Sequence, residues 1–164
     1  MGKVFKYGNN VNTDVIFPGK YTYSIDEPEE MAKHAMEDLD SDFARFVKEG
    51  DIIVAGLNFG MGSSREQAAI CLVYSGINAI IAQSFARIFF RNAINNGLPA
   101  IIHSQAANEI SDGDEVYVDL KKGFIETKNK KFTFPPYPDR LLDILNSGNL
   151  INWVKKELIQ RNLD

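Results

Sequence analysis

This chain predicts an α/β fold with a mostly parallel central sheet, a small antiparallel β section and C-terminal helices, in one domain spanning 1–164. Three observations predict it. Apolar runs at 51–56, 78–82 and 98–102 alternate with helical patterns at 64–75 and 85–96. Short apolar strands separated by helices pair in parallel through helical crossovers. Further on, an alternating run at 115–120 is followed by Lys122-Gly123 and two short runs at 124–126 and 132–134, the pattern of antiparallel hairpins. Two segments, 139–146 and 150–161, then read as closing helices.

The elements follow in order. Residues 4–7 read as a first strand, and 8–14 as a polar turn. The apolar stretch 15–17 is cut off by Pro18-Gly19, and 20–26 reads as an irregular loop. A helix is expected over 28–36, with Asp26 as cap and acids in its first turn, then a short helix over 42–47. The helix at 64–75 stops at Gly76, with Ser63 or Ser64 as its expected cap; Ser84 caps the helix at 85–96, which stops at Gly97. Pro135-Pro136-Tyr137-Pro138 separates the antiparallel section from the closing helices.

Composition narrows the function. Hydrophobic residues make up 45% and charged residues 24%, ordinary values for a globular protein. A net charge of −4 with scattered Lys and Arg argues against a nucleic-acid partner. The first ten residues lack the apolar core of a signal peptide, and no apolar run suits a bilayer. The single cysteine, Cys71, lies on the expected buried face of a helix; it can form no internal disulfide and no multi-cysteine metal centre. A cytoplasmic, reducing location is the expectation.

The chemistry concentrates at Asn58-Phe59-Gly60-Met61-Gly62-Ser63-Ser64-Arg65-Glu66, between a strand and a helix. Such a layout points backbone N–H groups and a positive dipole end at an anion. Two hydroxyls and a guanidinium stand beside it. A dinucleotide fingerprint needs a third glycine where Arg65 stands, and a nucleophile elbow needs Gly-x-Ser-x-Gly. His34 and His103 read as surface or edge histidines, so a Ser-His-Asp hydrolase is not indicated. Ser63 can instead serve as a proton acceptor, because nearby positive charge stabilises an alkoxide. Asn12-Thr13-Asp14 reads either as an Asx turn or as a carboxylate, Asp14, that orients a partner group. Arg87 and Arg91 share a helix face; for Arg91 a solvated stripe or an ion pair is the simpler reading.

These blocks, with 50–56 and Ser84-Phe85-Ala86-Arg87-Ile88-Phe89-Phe90-Arg91-Asn92-Ala93-Ile94-Asn95-Asn96-Gly97-Leu98-Pro99, resemble the swivel domain of the aconitase superfamily, in its free-standing small-subunit form. The resemblance covers nearly the whole chain. It implies a swivelling β/β/α domain and a large-subunit partner carrying a [4Fe–4S] cluster, with none bound by this chain. It implies that Ser63 is the catalytic base and that Ser64 and Arg65, with Gly62, bind substrate carboxylate. Asp14 would support a large-subunit histidine, and the cluster would act as Lewis acid on the departing hydroxyl.

The implied reaction dehydrates a small 2-hydroxy di-acid and rehydrates the neighbouring carbon. The loop after Pro18 holds Tyr21, Thr22 and Tyr23 and no arginine, which suits an alkyl group and makes isopropylmalate, in leucine synthesis, the expected substrate. Dimethylmalate and methylmalate/citraconate are the close alternatives, and Lys20 keeps homoaconitate open. A carboxylate-binding regulatory module is the non-enzyme alternative. One departure stands out: Gln67 occupies the position where the family usually carries a histidine.

Overall fold

The computed structural model describes residues 1–161. Strand β1 (Gly2–Lys6) lies mid-sheet. It pairs in parallel with β2 (Ile52–Ala55), which continues in parallel to β3 (Ala79–Ala82) and β4 (Ala100–Ile102). On its other edge β1 pairs antiparallel with β5 (Glu115–Asp119), followed by β6 (Phe124–Thr127) and β7 (Lys131–Thr133). One seven-stranded sheet results, in the order β4-β3-β2-β1-β5-β6-β7. The antiparallel section is thus a continuation of the parallel one.

Successive side chains of a strand point to opposite faces. Ile53, Ala55, Ile80 and Ala82 join one buried cluster, and Ile52, Val54, Ala79 and Ile81 join another. Every residue of β2 and β3 is buried, which is why both read as continuous apolar runs. The first cluster lies beneath α1 (Thr13–Ile16), α2 (Pro28–Lys33), α3 (Phe43–Phe46), α4 (Gln67–Tyr74) and α5 (Arg87–Asn95). The second is closed by α6 (Ser104–Glu109) and the antiparallel strands. Helices α7 (Asp139–Asn146) and α8 (Leu150–Arg161) finish the described chain, with α7 packed on α5. Among the described residues no helix is long and apolar enough to cross a membrane.

Three expected caps are not used. Helix α4 starts at Gln67, after Glu66, and neither Ser63 nor Ser64 caps it. Helix α5 starts at Arg87; Ser84 Oγ instead accepts the Asn58 amide at 2.9 Å, tying down the glycine loop. Helix α2 follows Glu27 rather than Asp26, because Pro28 already supplies the helical φ at the first turn. Two helices were not expected. The single turn α1 forms over β-branched residues because Asn12 Oδ1 accepts the Asp14 amide at 2.8 Å while Ile16 is fully buried. Helix α6 is capped by His103, whose Nδ1 accepts the Ala106 amide at 3.1 Å.

Candidate functional site

The glycine loop is held from both sides. The Gly60 amide donates to the Val11 carbonyl at 2.8 Å and the Thr13 amide to the Met61 carbonyl at 2.8 Å; on the other side the Phe59 amide donates to the Ser84 carbonyl at 3.0 Å and the Ala86 amide to the Phe59 carbonyl at 2.9 Å. Gly62 has φ +97°, and a Cβ there would stand 2.5 Å from Asn12 Oδ1. Only glycine allows that turn and that approach. Thr13, 2% exposed, donates its hydroxyl to the Ser63 carbonyl at 2.9 Å. The result is a rigid backbone carrying Ser63 and Ser64 exposed at its crest.

Arg65 turns from the crest toward α1. Its guanidinium pairs with Asp14 Oδ1 at 2.6 Å and donates to the Phe17 carbonyl at 3.4 Å. Its side chain is 20% exposed and that of Asp14 is 50% exposed, so Asp14 keeps an open face. A Cβ at Gly19 would lie 3.0 Å from both terminal guanidinium nitrogens. The loop after Pro18 therefore begins against Arg65. Asp14, Ser63, Arg65 and that loop, read separately from the sequence, are brought to one corner of the molecule.

The loop itself is a 3₁₀ turn (Gly19–Tyr21) followed by Thr22 to Ile25. Tyr21 stacks on His34, with ring centroids 4.0 Å apart, and its hydroxyl donates to Glu37 at 3.1 Å. Lys20 pairs with Glu37 at 2.7 Å and with Asp38 at 3.8 Å. His34 Nδ1 meets Glu37 Oε2 at 2.5 Å. The Lys20 ammonium first, and the His34 ring second, hold the Glu37 carboxyl down at about 2. The Lys20 pair therefore persists as pH falls through the ordinary carboxylate range and is lost only toward that value. The Thr22 hydroxyl is buried without a partner, and Tyr23 is 97% exposed.

A groove of about 450 Å³ runs beside the crest, lined by Gly60, Gly62, Ser63, Ala86, Arg87, Ile88 and Arg91. Arg87 and Arg91 are exposed and form no ion pair among the described residues, so the ion-pair reading of Arg91 gives way to the solvated one. That both face the groove of Ser63 was not read from the sequence, although their four-residue spacing placed them on one face. Cys71 is fully buried, and burial pushes its thiol pKa up. Among the described residues no group of His, Cys, Asp and Glu has the arrangement to hold a metal ion.

Residues 7–106 match the aconitase C-terminal domain family. A 3-isopropylmalate dehydratase small subunit from Caldicellulosiruptor saccharolyticus is 53% identical, over 96% of this chain and 91% of that protein. The chain belongs to the aconitase C-terminal domain family, among the small subunits of 3-isopropylmalate dehydratase. A small subunit from Thermodesulfovibrio yellowstonii is 49% identical over 99% of this chain and 97% of its own. A crystal structure of 3-isopropylmalate dehydratase from Methanocaldococcus jannaschii superimposes with a TM-score of 0.89 at 49% identity, covering 99% of this chain and 98% of that one. The mixed sheet with its flanking helices is thus the fold of this family.

Proposed function

We propose that the chain is the small subunit of an iron–sulfur hydro-lyase that interconverts 2-isopropylmalate and 3-isopropylmalate, in leucine biosynthesis, and that it works in the cytoplasm. The single observation that carries this reading is the corner where Ser63, Arg65 and Asp14 meet the loop after Pro18. A carboxylate seated between the crest and α1 would meet the two serine hydroxyls and the edge of the Arg65 guanidinium that Asp14 leaves free. Ser63 would take the proton from the carbon beside that carboxylate. Ser64 and Arg65 would hold the carboxylate, with Gly62 giving the backbone room to approach it. Asp14 would hold Arg65 on one side and offer its open face to a large-subunit group.

This chain does not fit an iron–sulfur cluster, since one buried cysteine is its whole supply of thiolate. On this reading the large subunit carries the cluster, as the family relation suggests, and this chain's share of the reaction would be proton transfer and carboxylate binding. Substrate choice falls to the loop with Tyr21, Thr22 and Tyr23. Lys20 is engaged by Glu37 and Asp38, which removes the cation that a third carboxylate would need. An alkyl group is the better occupant.

Co-purification with the large subunit under anaerobic conditions tests the reading. The complex is expected to turn over isopropylmalate in preference to dimethylmalate, methylmalate, homoaconitate and citrate, and the chain alone to turn over none. Full activity from the isolated chain would remove the proposal. In the complex, Arg65→Lys is expected to raise KM by about 10-fold with a smaller change in kcat, because a single ammonium cannot hold both Asp14 and a carboxylate through a planar fork. An unchanged KM would take Arg65 out of the carboxylate seat.

A further inference from the structure

We infer that Glu37 is a positioning residue that sets substrate choice, because its one carboxylate gathers Lys20, Tyr21 and His34 and so fixes where the Tyr21–Thr22–Tyr23 loop lies. The selective role rests on the proposed reaction; the mechanical role does not. The loop joins no strand. Its backbone bonds are local turns, from the Tyr21, Thr22 and Ser24 amides to the Pro18, Gly19 and Tyr21 carbonyls. Local turns give the loop its shape but not its place in the molecule. Side chains supply the place: Tyr21 and Ile25 pack on the first buried cluster, and polar contacts hold the loop at both ends. Gly19 rests against the Arg65 guanidinium at one end. At the other, Glu37 takes the Tyr21 hydroxyl at 3.1 Å, the Lys20 ammonium at 2.7 Å and His34 Nδ1 at 2.5 Å.

The anchor is shaped as well as charged. The His34 ring lies on Tyr21 with ring planes at 34°, Phe17 backs Tyr21 at 6.2 Å, and the Lys20 ammonium sits 4.8 Å from the Tyr21 ring centre. Among the described residues Asp38, at 3.8 Å from Lys20, is the one other acid paired with this cluster, and it forms no hydrogen bond to Tyr21 or His34. An ordinary exposed ion pair contributes little. Here three donors from the loop and the end of α2 share one acceptor that is 29% exposed, so losing it releases all three together.

Glu37→Gln keeps the shape and removes the charge. Hydrogen exchange on the full chain is expected to quicken at 19–25 by about 10-fold, with exchange elsewhere unchanged. In the complex with the large subunit, KM for isopropylmalate should rise by about 3- to 10-fold with kcat within about two-fold, and preference over citrate should shrink. Glu109→Gln, which breaks a comparable ion pair with Lys130 away from the loop, should move none of these. Wild-type loop exchange in Glu37→Gln overturns the inference, as does faster loop exchange with unchanged KM and preference. A uniform rise in exchange across the chain, with kcat and KM both altered, shows a residue that merely supports the fold and also overturns it. If the wild-type complex turns over no 2-hydroxy di-acid, the functional reading fails, and the exchange measurement still decides the clamp.

Discussion

Ser63→Ala is expected to lower turnover of the assembled enzyme by about 10²–10⁴-fold, the range for loss of a positioned acid–base group. The side chain is exposed at the crest of a loop held by its backbone and by neighbours: the Ser63 carbonyl accepts from the Thr13 hydroxyl, and the Gly60 amide donates to the Val11 carbonyl. Removing the hydroxyl leaves each of these in place. Stability should therefore stay within about 0.5 kcal/mol of the parent chain. The two measurements together separate a lost base from a damaged loop. Steady-state turnover of isopropylmalate would be read beside a thermal melt of the free chain. Turnover near the parent value would show that another group accepts the proton. A collapse of both turnover and melting temperature would show that Ser63 supports the loop.

Gly60→Ala is expected to be strongly destabilising. A Cβ there would stand 2.1 Å from Phe89 Cγ and 2.3 Å from Phe89 Cβ, at a backbone φ of +77°. Phe89 has nowhere to go. It is 1% exposed, meets Phe59 edge to face at 5.2 Å and stacks parallel to Phe85 at 6.4 Å. Either α5 moves out or the glycine loop does, and in both cases Ser63 leaves its groove. Overpacking and left-handed strain together suggest a loss of about 2–5 kcal/mol. For a chain of this size that corresponds to a fall in melting temperature of roughly 5–15 °C. Gly113→Ala is the control: its φ is +79°, but its Cβ would meet only Lys3 Cε at 3.8 Å. It should show the backbone strain alone. A melt of Gly60→Ala no lower than that of Gly113→Ala would mean that Phe89 adapts and the loop is not wedged.

Much of this architecture could be read from the sequence because it rests on strong, local patterns. The buried strands β2 and β3 are apolar at every position, and only a sheet covered on both faces asks for that. Helices α7 and α8 begin where 139 and 150 were placed, and α7 ends at Asn146 as expected, since Pro138 and Gly148 punctuate the chain before them. What escaped was set by distant partners. Ser84 has the chemistry of a cap but spends its oxygen on Asn58, 26 residues away. The turn α1 is poor helix sequence held by burial of Ile16 and by the Asn12 side chain. At the site, the Gly-Ser-Ser-Arg block announced itself by composition, and Asp14 by its place in Asn12-Thr13-Asp14. Their ion pair did not, because it spans 51 residues that no local pattern links. Glu37 gave no signal at all: an acid among acids, it gains a role only where Tyr21 and His34 fold onto it.

The central place of β1 has a price in time. Its first residues match Val116 and Glu115 on one edge, while the opposite edge is satisfied by residues near 52. A growing polypeptide can assemble the parallel half early, yet must then carry a bare, hydrogen-bonding margin until more than a hundred residues have followed. Pairings so remote in the chain form slowly, and unpaired margins invite other chains to dock. Lys3 and Lys6 stand on that margin, and like charges on approaching copies would discourage such docking until β5 arrives.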